Sequence, residues 1–291
     1  RAWSSLRTRG WQQTWQRVLL RLQRAVRRAP ADAMPLWRPP RSTDDALPTF
    51  TEPAAAPVAS IVIPVHNHVG HTLECLHALA AAPPGTTIEI IVVDDASSDG
   101  TATVLPRIAG LRYLRHERNG GFIAACNTGA AQARGEVLVF LNNDTVPQPG
   151  WLDALLWTLH EVPRAGIAGA QLLYPDGRLQ EAGGVVFRDG QAWNYGRFES
   201  PDDPRYAYLR DADYVSGAAL AIRRTLFDAV GGFDTRYAPA YYEDTDLAFA
   251  VRAAGNRVLY QPAARVLHDE GTSAGTDPST GMKAAQARNR E

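Results

Sequence analysis

Between Ala59 and Leu141, runs of strand length alternate with helix-spaced stretches, and no other feature narrows the fold of this chain as much. The runs are ASIVIPV (59–65), IEIIVV (88–93), LRYLRH (111–116) and EVLVFL (136–141). Continuous rather than alternating apolarity in ASIVIPV, IEIIVV and EVLVFL predicts strands covered on both faces, as in a parallel sheet. GHTLECLHALAAA, closed by Pro83-Pro84-Gly85, TATVLPRI, capped by Ser97 or Ser98, and GFIAACNTGAAQARG, ending at Gly135, read as the intervening helices. Strand-helix repetition of this kind implies right-handed βαβ units. Ligands of such sheets bind beyond the carboxyl ends of the strands. Asp94-Asp95 and Asn142-Asn143-Asp144 both follow strands at that edge.

Beyond a helix at 151–160 the regularity fades. Residues 165–174 and 216–222 read as strands, 175–213 as an irregular stretch, and RRTLFDAVGGFD as a helix closed by Gly231-Gly232. YYEDTDLAFAVRAAG opens a helix on acids, and RVLYQPAARVLH reads as a strand pair ending at His268. Seven of the ten tyrosines lie between 195 and 242, a composition suited to sugar stacking, although any single ring serves equally as core.

Several classes are excluded by counting. Lys283 is the sole lysine among 30 basic residues and sits in MKAAQ, so neither a P-loop nor a Schiff-base lysine is present. The two cysteines, Cys75 and Cys126, form neither a disulfide framework nor a zinc cluster and read as packed thiols. No apolar stretch approaches the length of a membrane span. Charge is unevenly placed: residues 1–41 hold ten arginines against Asp32, and residues 42–291 hold 20 basic against 30 acidic residues. WQQTWQRVLLRLQRAVRR is a basic amphipathic helix that suits either an anionic membrane surface or packing on a neighbouring domain. The organisation read from these features is a basic helix at 1–29, a Pro/Ala-rich linker at 30–57, one domain at 58–275 and a helical segment at 276–291. Arg1 in place of Met and the helical-looking end predict a piece of a longer chain with further domains.

Each polar cluster has a plain local reading. Asp94-Asp95 suits cap and turn positions, and Asn142-Asn143-Asp144-Thr145 suits a strand-to-loop turn. Glu243-Asp244 suits a helix N-terminus, and His268 alone is an ordinary histidine. Their convergence says more, because the topology sends Asp95 and Asp144 to one sheet edge. An acidic edge without lysine repels a diphosphate unless a hard divalent cation bridges carboxylate and phosphate oxygens. Asp144 and His268 are candidate ligands, and mixed O and N donors suit Mn²⁺ better than Mg²⁺.

SIVIPVHN, IIVVDDASSDGT, NGGFIAACNTGAAQARGEVLVFLNNDT, GGFD and YYEDTDL with the later His268 together resemble glycosyltransferase family 2 over residues 58 to about 275. Within it the chain is most similar to the bacterial rhamnosyltransferase-like enzymes of cell-surface polysaccharide synthesis. The resemblance implies an α/β GT-A fold, with a Rossmann-like, mostly parallel sheet flanked by helices and a mixed acceptor-side half. It further implies inverting hexosyl transfer from a nucleotide-diphosphate sugar, UDP- or dTDP-linked, with Mn²⁺ or Mg²⁺. Pro64, His66 and Asp95, with Asp94 beside it, match the nucleoside pocket, Asp95 accepting from the base. Asn119, Gly120 and Gly121 match a loop near the nucleotide. Asn142-Asn143-Asp144 stands where the family has D-x-D, with Asp144 as metal ligand and a neutral Asn142 in the first acid's place. His268 matches another metal ligand and Asp244 the catalytic base, expected to be kept ionised by its helix N-terminus. Expected partners are a glycan or lipid-linked acceptor at the cytoplasmic face of a bacterial membrane, and not nucleic acid. Two rival enzyme classes lack their loops: PVHNHVGHT replaces the basic Gly-rich loop of a sugar nucleotidyltransferase, and the G-x-G-x-x-G of oxidoreductases is missing. A degenerate glycan- or partner-binding module is favoured only by Asn142.

The basic segment generates a direct test. Vesicle flotation should show binding of the chain to anionic but not neutral liposomes, weakening with salt. Equal binding to both, or to neither, assigns residues 11–28 to a domain connector.

Overall fold

The computed structural model describes residues 36–39, 46–53, 55–269 and 285–289. The expected basic helix therefore lies outside the described residues, as does part of the linker. Among the described residues there are twelve strands: β1 (Ala59–Val65), β2 (Ile88–Asp94), β3 (Leu111–Arg115), β4 (Val137–Leu141), β5 (Thr145–Pro147), β6 (Ala165–Leu173), β7 (Leu179–Glu181), β8 (Gly184–Val186), β9 (Ala192–Asn194), β10 (Arg210–Asp211), β11 (Ala219–Arg223) and β12 (Arg257–His268). The α-helices are α1 (Val69–Ala81), α2 (Thr101–Val104), α3 (Gly121–Gln132), α4 (Trp151–Glu161), α5 (Arg224–Ala229), α6 (Glu243–Ala253) and α7 (Ala285–Arg288).

The sheet runs β10-β12-β6-β11-β4-β1-β2-β3. β1 pairs in parallel with β2 and β4, and β2 with β3, as the strand-helix alternation requires. β11 then enters antiparallel between β4 and β6, while β12 runs parallel to β6, giving the mixed half. Alternate residues of one strand feed opposite cores. Ile61, Ile63, Val139 and Leu141 pack with α1 and with Leu152, Leu155, Leu156 and Leu159 of α4. Val62, Leu138 and Phe140 pack on the other face with α3, Phe227 of α5 and Leu247 and Val251 of α6. α3 lies so close to β1 that a Cβ at Gly129 would stand 2.3 Å from a methyl of Val62. Both cysteines are buried and free, and burial pushes the Cys75 thiol up to about 12.

Three readings are corrected. RVLYQPAARVLH is one strand, not two, with its register on β6 shifted between Gln261 and Arg265. Pro262 has no N–H for the ladder, and the Ala263 N–H donates instead to Gln261 Oε1 at 3.0 Å. The helix after β2 is capped by neither Ser97 nor Ser98, since Thr101 N–H donates to Asp99 Oδ1 at 2.9 Å. The stretch 175–213 holds four short strands, and in the β8–β9 hairpin Val185 faces Trp193. These strands are too short for a period of two to register.

β12 runs far enough past the body of the sheet for its last three residues to pair antiparallel with β5, setting His268 opposite Thr145. This pairing joins the end of the chain's last long strand to the loop after β4.

Candidate active site

Asp94 and Asp95 are neighbours with opposite fates. Asp94 points inward, fully buried, and accepts from Ser97 N–H, the Tyr113 hydroxyl and the Arg115 guanidinium. Burial alone would raise its carboxyl, but these donors outweigh it and hold the group below the usual carboxylate range. The Asp94 side chain is therefore held inward within the scaffold, apart from the residues that gather around Asp95. Asp95, 3% exposed, turns instead to the start of α3. Its oxygens accept from Gly120 N–H at 2.8 Å, Gly121 N–H at 2.7 Å and His116 Nδ1 at 2.8 Å. His66 donates Nδ1–H to the Asp95 carbonyl at 2.8 Å, and the Asn119 amide stands within 3.4 Å of the same ring. Pro64 is buried within β1. The structure thus gathers Pro64, His66, Asp95, Asn119, Gly120 and Gly121 at the ends of β1 and β2.

Gly121 couples this cluster to the catalytic side. Its φ is +84°, and a Cβ there would lie 2.5 Å from Pro239 Cβ. Ile123 N–H donates to the Pro239 carbonyl at 3.3 Å. The start of α3 is thereby pressed against the segment that leads into α6.

After β4, Asn143 turns away from the edge and donates to Thr72 Oγ1 of α1 at 3.0 Å, which places it outside the expected nucleotide contacts. Asn142 and Asp144 point together toward His268. His268 Nε2 is 3.4 Å from Asp144 Oδ1 and 3.4 Å from Asn142 Nδ2. Asn142 Oδ1 is buried and accepts no hydrogen bond among the described residues. This donor set fits a divalent cation: one carboxylate, one imidazole and a buried amide oxygen available beside them. Among the described residues no group of three His, Cys, Asp or Glu could hold a metal, so the donors brought together here are the Asp144 and His268 pair with Asn142 Oδ1 beside it.

α6 begins on strained backbone. Tyr241 and Tyr242 have φ of 76° and 73°, values bulky residues adopt only where surrounding structure imposes them. Asp244 then accepts from Gly217 N–H at 3.1 Å and from Thr245 N–H at 2.7 Å. Glu243 is buried on the other side, where its Oε2 has no hydrogen-bond partner among the described residues. Burial, then the neighbouring Asp244 charge, pushes Glu243 up to about 8. Burial also raises Asp244, against its backbone donors. Of this pair the proton settles on Glu243, because Asp244 has the larger set of donors favouring the anion.

Three residues that sequence reasoning missed complete the site. His116 bridges Asp95 to Thr128 Oγ1, 2.9 Å from its Nε2. Gln180 Oε1 lies 2.9 Å from His268 Nδ1. Glu181, 1% exposed, accepts from Ser216 N–H at 2.9 Å, and burial pushes it up to about 8, with Asp244 adding repulsion. The sequence signal for the last two is a Gln-Glu pair between apolar Leu179 and Ala182. A cavity of about 450 Å³ among Arg164, Arg210, Arg252 and Arg257 lies by the start of β12, at the far end of the sheet from this site.

Comparison with known proteins gives the class to which this α/β fold belongs. The fold is GT-A. Its solved neighbours include GalNAc-T7 with UDP, GalNAc and Mn²⁺, at 19% identity and TM-score 0.60 over 77% of this chain and 45% of that one. They also include a mannosyltransferase from Pyrobaculum calidifontis with GDP-Man and Mn²⁺, at 22% identity and TM-score 0.51 over 76% and 59%. The family model for glycosyl transferase family 2 matches residues 60–230. The chain belongs to glycosyl transferase family 2. It is 31% identical to the N-acetylglucosaminyl-diphospho-decaprenol L-rhamnosyltransferase of Mycobacterium tuberculosis, over 78% of this chain and 80% of that protein. It is 31% identical to the O-antigen biosynthesis protein RfbC of Myxococcus xanthus over 76% of this chain, and 33% identical to an uncharacterized protein of Sinorhizobium fredii over 78%. The chain spans only 18% and 26% of those last two.

The Glu181 environment generates a stability test. Its folded pKa, about 8, exceeds the unfolded value near ~4.3, so its contribution is complete below the unfolded value and is lost as pH rises through about 8. Thermal midpoints in EDTA should therefore fall between pH 5.5 and 9 more steeply for the wild type than for Glu181→Gln, by at least ~2 °C. Parallel profiles would show that Glu181 ionises without cost.

Proposed function

We propose that this chain transfers a sugar from a nucleotide-diphosphate sugar, with inversion, to a glycan or lipid-linked glycan acceptor in cell-surface polysaccharide synthesis. The observation that carries this reading is the convergence of Asp95, Asp144, His268 and Asp244 on one sheet edge from four separate parts of the chain. The names of the Mycobacterium and Myxococcus relatives support the acceptor class. Asp95 takes three hydrogen bonds of the roughly four a carboxylate accepts, leaving capacity for a donor on the base. Asp144 and His268, with Asn142 Oδ1 beside them, are the residues that would hold Mn²⁺ or Mg²⁺, and the cation would supply positive charge to offset that of the diphosphate.

Asp244 receives the proton of the acceptor hydroxyl as that oxygen attacks the anomeric carbon from the face opposite the leaving group. Gly217 N–H and Thr245 hold its carboxylate in place and anionic. Its raised pKa brings its basicity nearer to neutral pH, where general-base catalysis is most effective. One base on one face gives a single displacement and an inverted product. Glu243, protonated and turned into the core, removes a second buried anion from the pair. Lipid-borne acceptors accord with the basic segment at 11–28, and among the described residues no helix is long and apolar enough to cross a membrane.

Replacement of the base tests this reading. Asp244→Asn preserves shape but not proton acceptance, so single-turnover transfer should fall by ~10²–10⁴. Donor affinity in Mn²⁺ should stay within about threefold, since ground-state contacts remain. Retention of more than about a tenth of the wild-type rate places the base elsewhere. Loss of donor affinity together with rate assigns Asp244 to the donor site instead.

A further inference from the structure

β7 is three residues long, yet only two of them pair with β6: Glu181 faces Leu172 and Leu179 faces Leu173. Gln180 is the extra residue, so it occupies a β-bulge. Bulges beside active sites re-aim a side chain that the regular pleat would send elsewhere. The backbone around this one is fixed on both sides. Leu179 N–H donates to the Glu199 carbonyl at 2.9 Å, and Phe198 N–H donates to the Leu179 carbonyl at 2.7 Å. The Glu181 side chain takes the Ser216 N–H. Gln180 itself is 1% exposed, so its amide has one setting, with Oε1 2.9 Å from His268 Nδ1.

An amide oxygen only accepts. His268 therefore carries a hydrogen on Nδ1, and in the neutral ring that leaves Nε2 as a lone pair. That lone pair faces Asp144 Oδ1 at 3.4 Å. Two electron-rich atoms aimed at one point make a cation site, and the ring can serve only in this tautomer.

We propose that Gln180 is a positioning residue of the cation site: it fixes the His268 ring and its Nδ1–H tautomer, so that Nε2 is presented with Asp144 to a divalent cation. This inference rests on the reading that Asp144 and His268 hold that cation. Residues that orient a ligating histidine through its other nitrogen commonly govern metal affinity by 10–100-fold.

The test measures Mn²⁺ binding to the whole chain in the presence of UDP, from the free-Mn²⁺ electron paramagnetic resonance signal. Gln180→Met keeps the volume and removes the acceptor, and should weaken Mn²⁺ by about 10–100-fold. Gln180→Glu restores an acceptor and should return affinity to within about threefold of wild type. UDP binding in EDTA should be unchanged in both, which separates a cation-site effect from a disturbed fold. Mn²⁺ affinity within threefold of wild type in Gln180→Met overturns the inference. His268→Ala separates the two layers: if it weakens Mn²⁺ and Gln180→Met does not, only the role of Gln180 fails. If His268→Ala leaves Mn²⁺ affinity unchanged, the cation reading fails and this inference with it. A measurement on the unmutated chain stands beside these: long-range ¹⁵N–¹H correlation of labelled histidines should find His268 protonated at Nδ1. The Nε2–H tautomer would overturn the proposal whatever the variants do.

Discussion

Three residues of backbone pairing hold the account together. β5 lies directly after Asp144, and its antiparallel ladder with the end of β12 sets His268 against Thr145. Without that ladder, Asp144 and His268 are 124 positions apart and have no reason to meet. With it, the residue just before β5 and the last residue of β12 meet, and a β-bulge on β7 brings Gln180 to the His268 ring. Sites mounted on paired strands keep their geometry better than sites on loops. The Asp269 N–H, 3.0 Å from the Asp144 carbonyl, extends the ladder one step past the site.

The buried carboxyls fall into two populations, and the division separates scaffold from site. Glu89 is held down to about 2: burial is outweighed by Ser60, the Arg134 N–H and two guanidinium groups. Asp94 is held low in the same manner by Ser97, Tyr113 and Arg115. These anions have full sets of donors and tie β2 to its neighbouring strands and loops. Glu181, Glu243 and Asp244 lie together with few donors, and burial drives all three up. Keeping such groups in a core costs stability, as does positive φ at Tyr241 and Tyr242. The dense packing of Phe140 against Phe227 and Phe233, with ring centroids 5.2 and 4.8 Å away, is where the fold offsets that cost.

Much of this was legible in the sequence, for identifiable reasons. ASIVIPV, IEIIVV and EVLVFL read correctly because burial on both faces writes an unbroken apolar run. The shared edge of Asp95 and Asp144 followed from parallel topology alone. Which way each of Asp94 and Asp95 turns did not, because the two differ only by strand parity and by an arginine 21 positions later in sequence. The role of Asn143 was hidden likewise, since its partner Thr72 lies on a helix 71 residues earlier. Gln180 and Glu181 were illegible because a three-residue strand carries no period, and a bulge removes what alternation remains. The single strand at 257–268 was misread because Pro262 looks like a breaker, although a bulge accommodates it.

The central claim is that Asp144 and His268 share one divalent cation with the nucleotide diphosphate. Anomalous diffraction at the manganese edge, from crystals grown with UDP and Mn²⁺, tests it without reference to activity. The account predicts one peak, bonded to an Asp144 oxygen and to His268 Nε2 at about 2.0–2.6 Å, with diphosphate oxygens completing the shell. A peak among Glu181, Glu243 and Asp244, or one on the diphosphate that touches neither Asp144 nor His268, would contradict it.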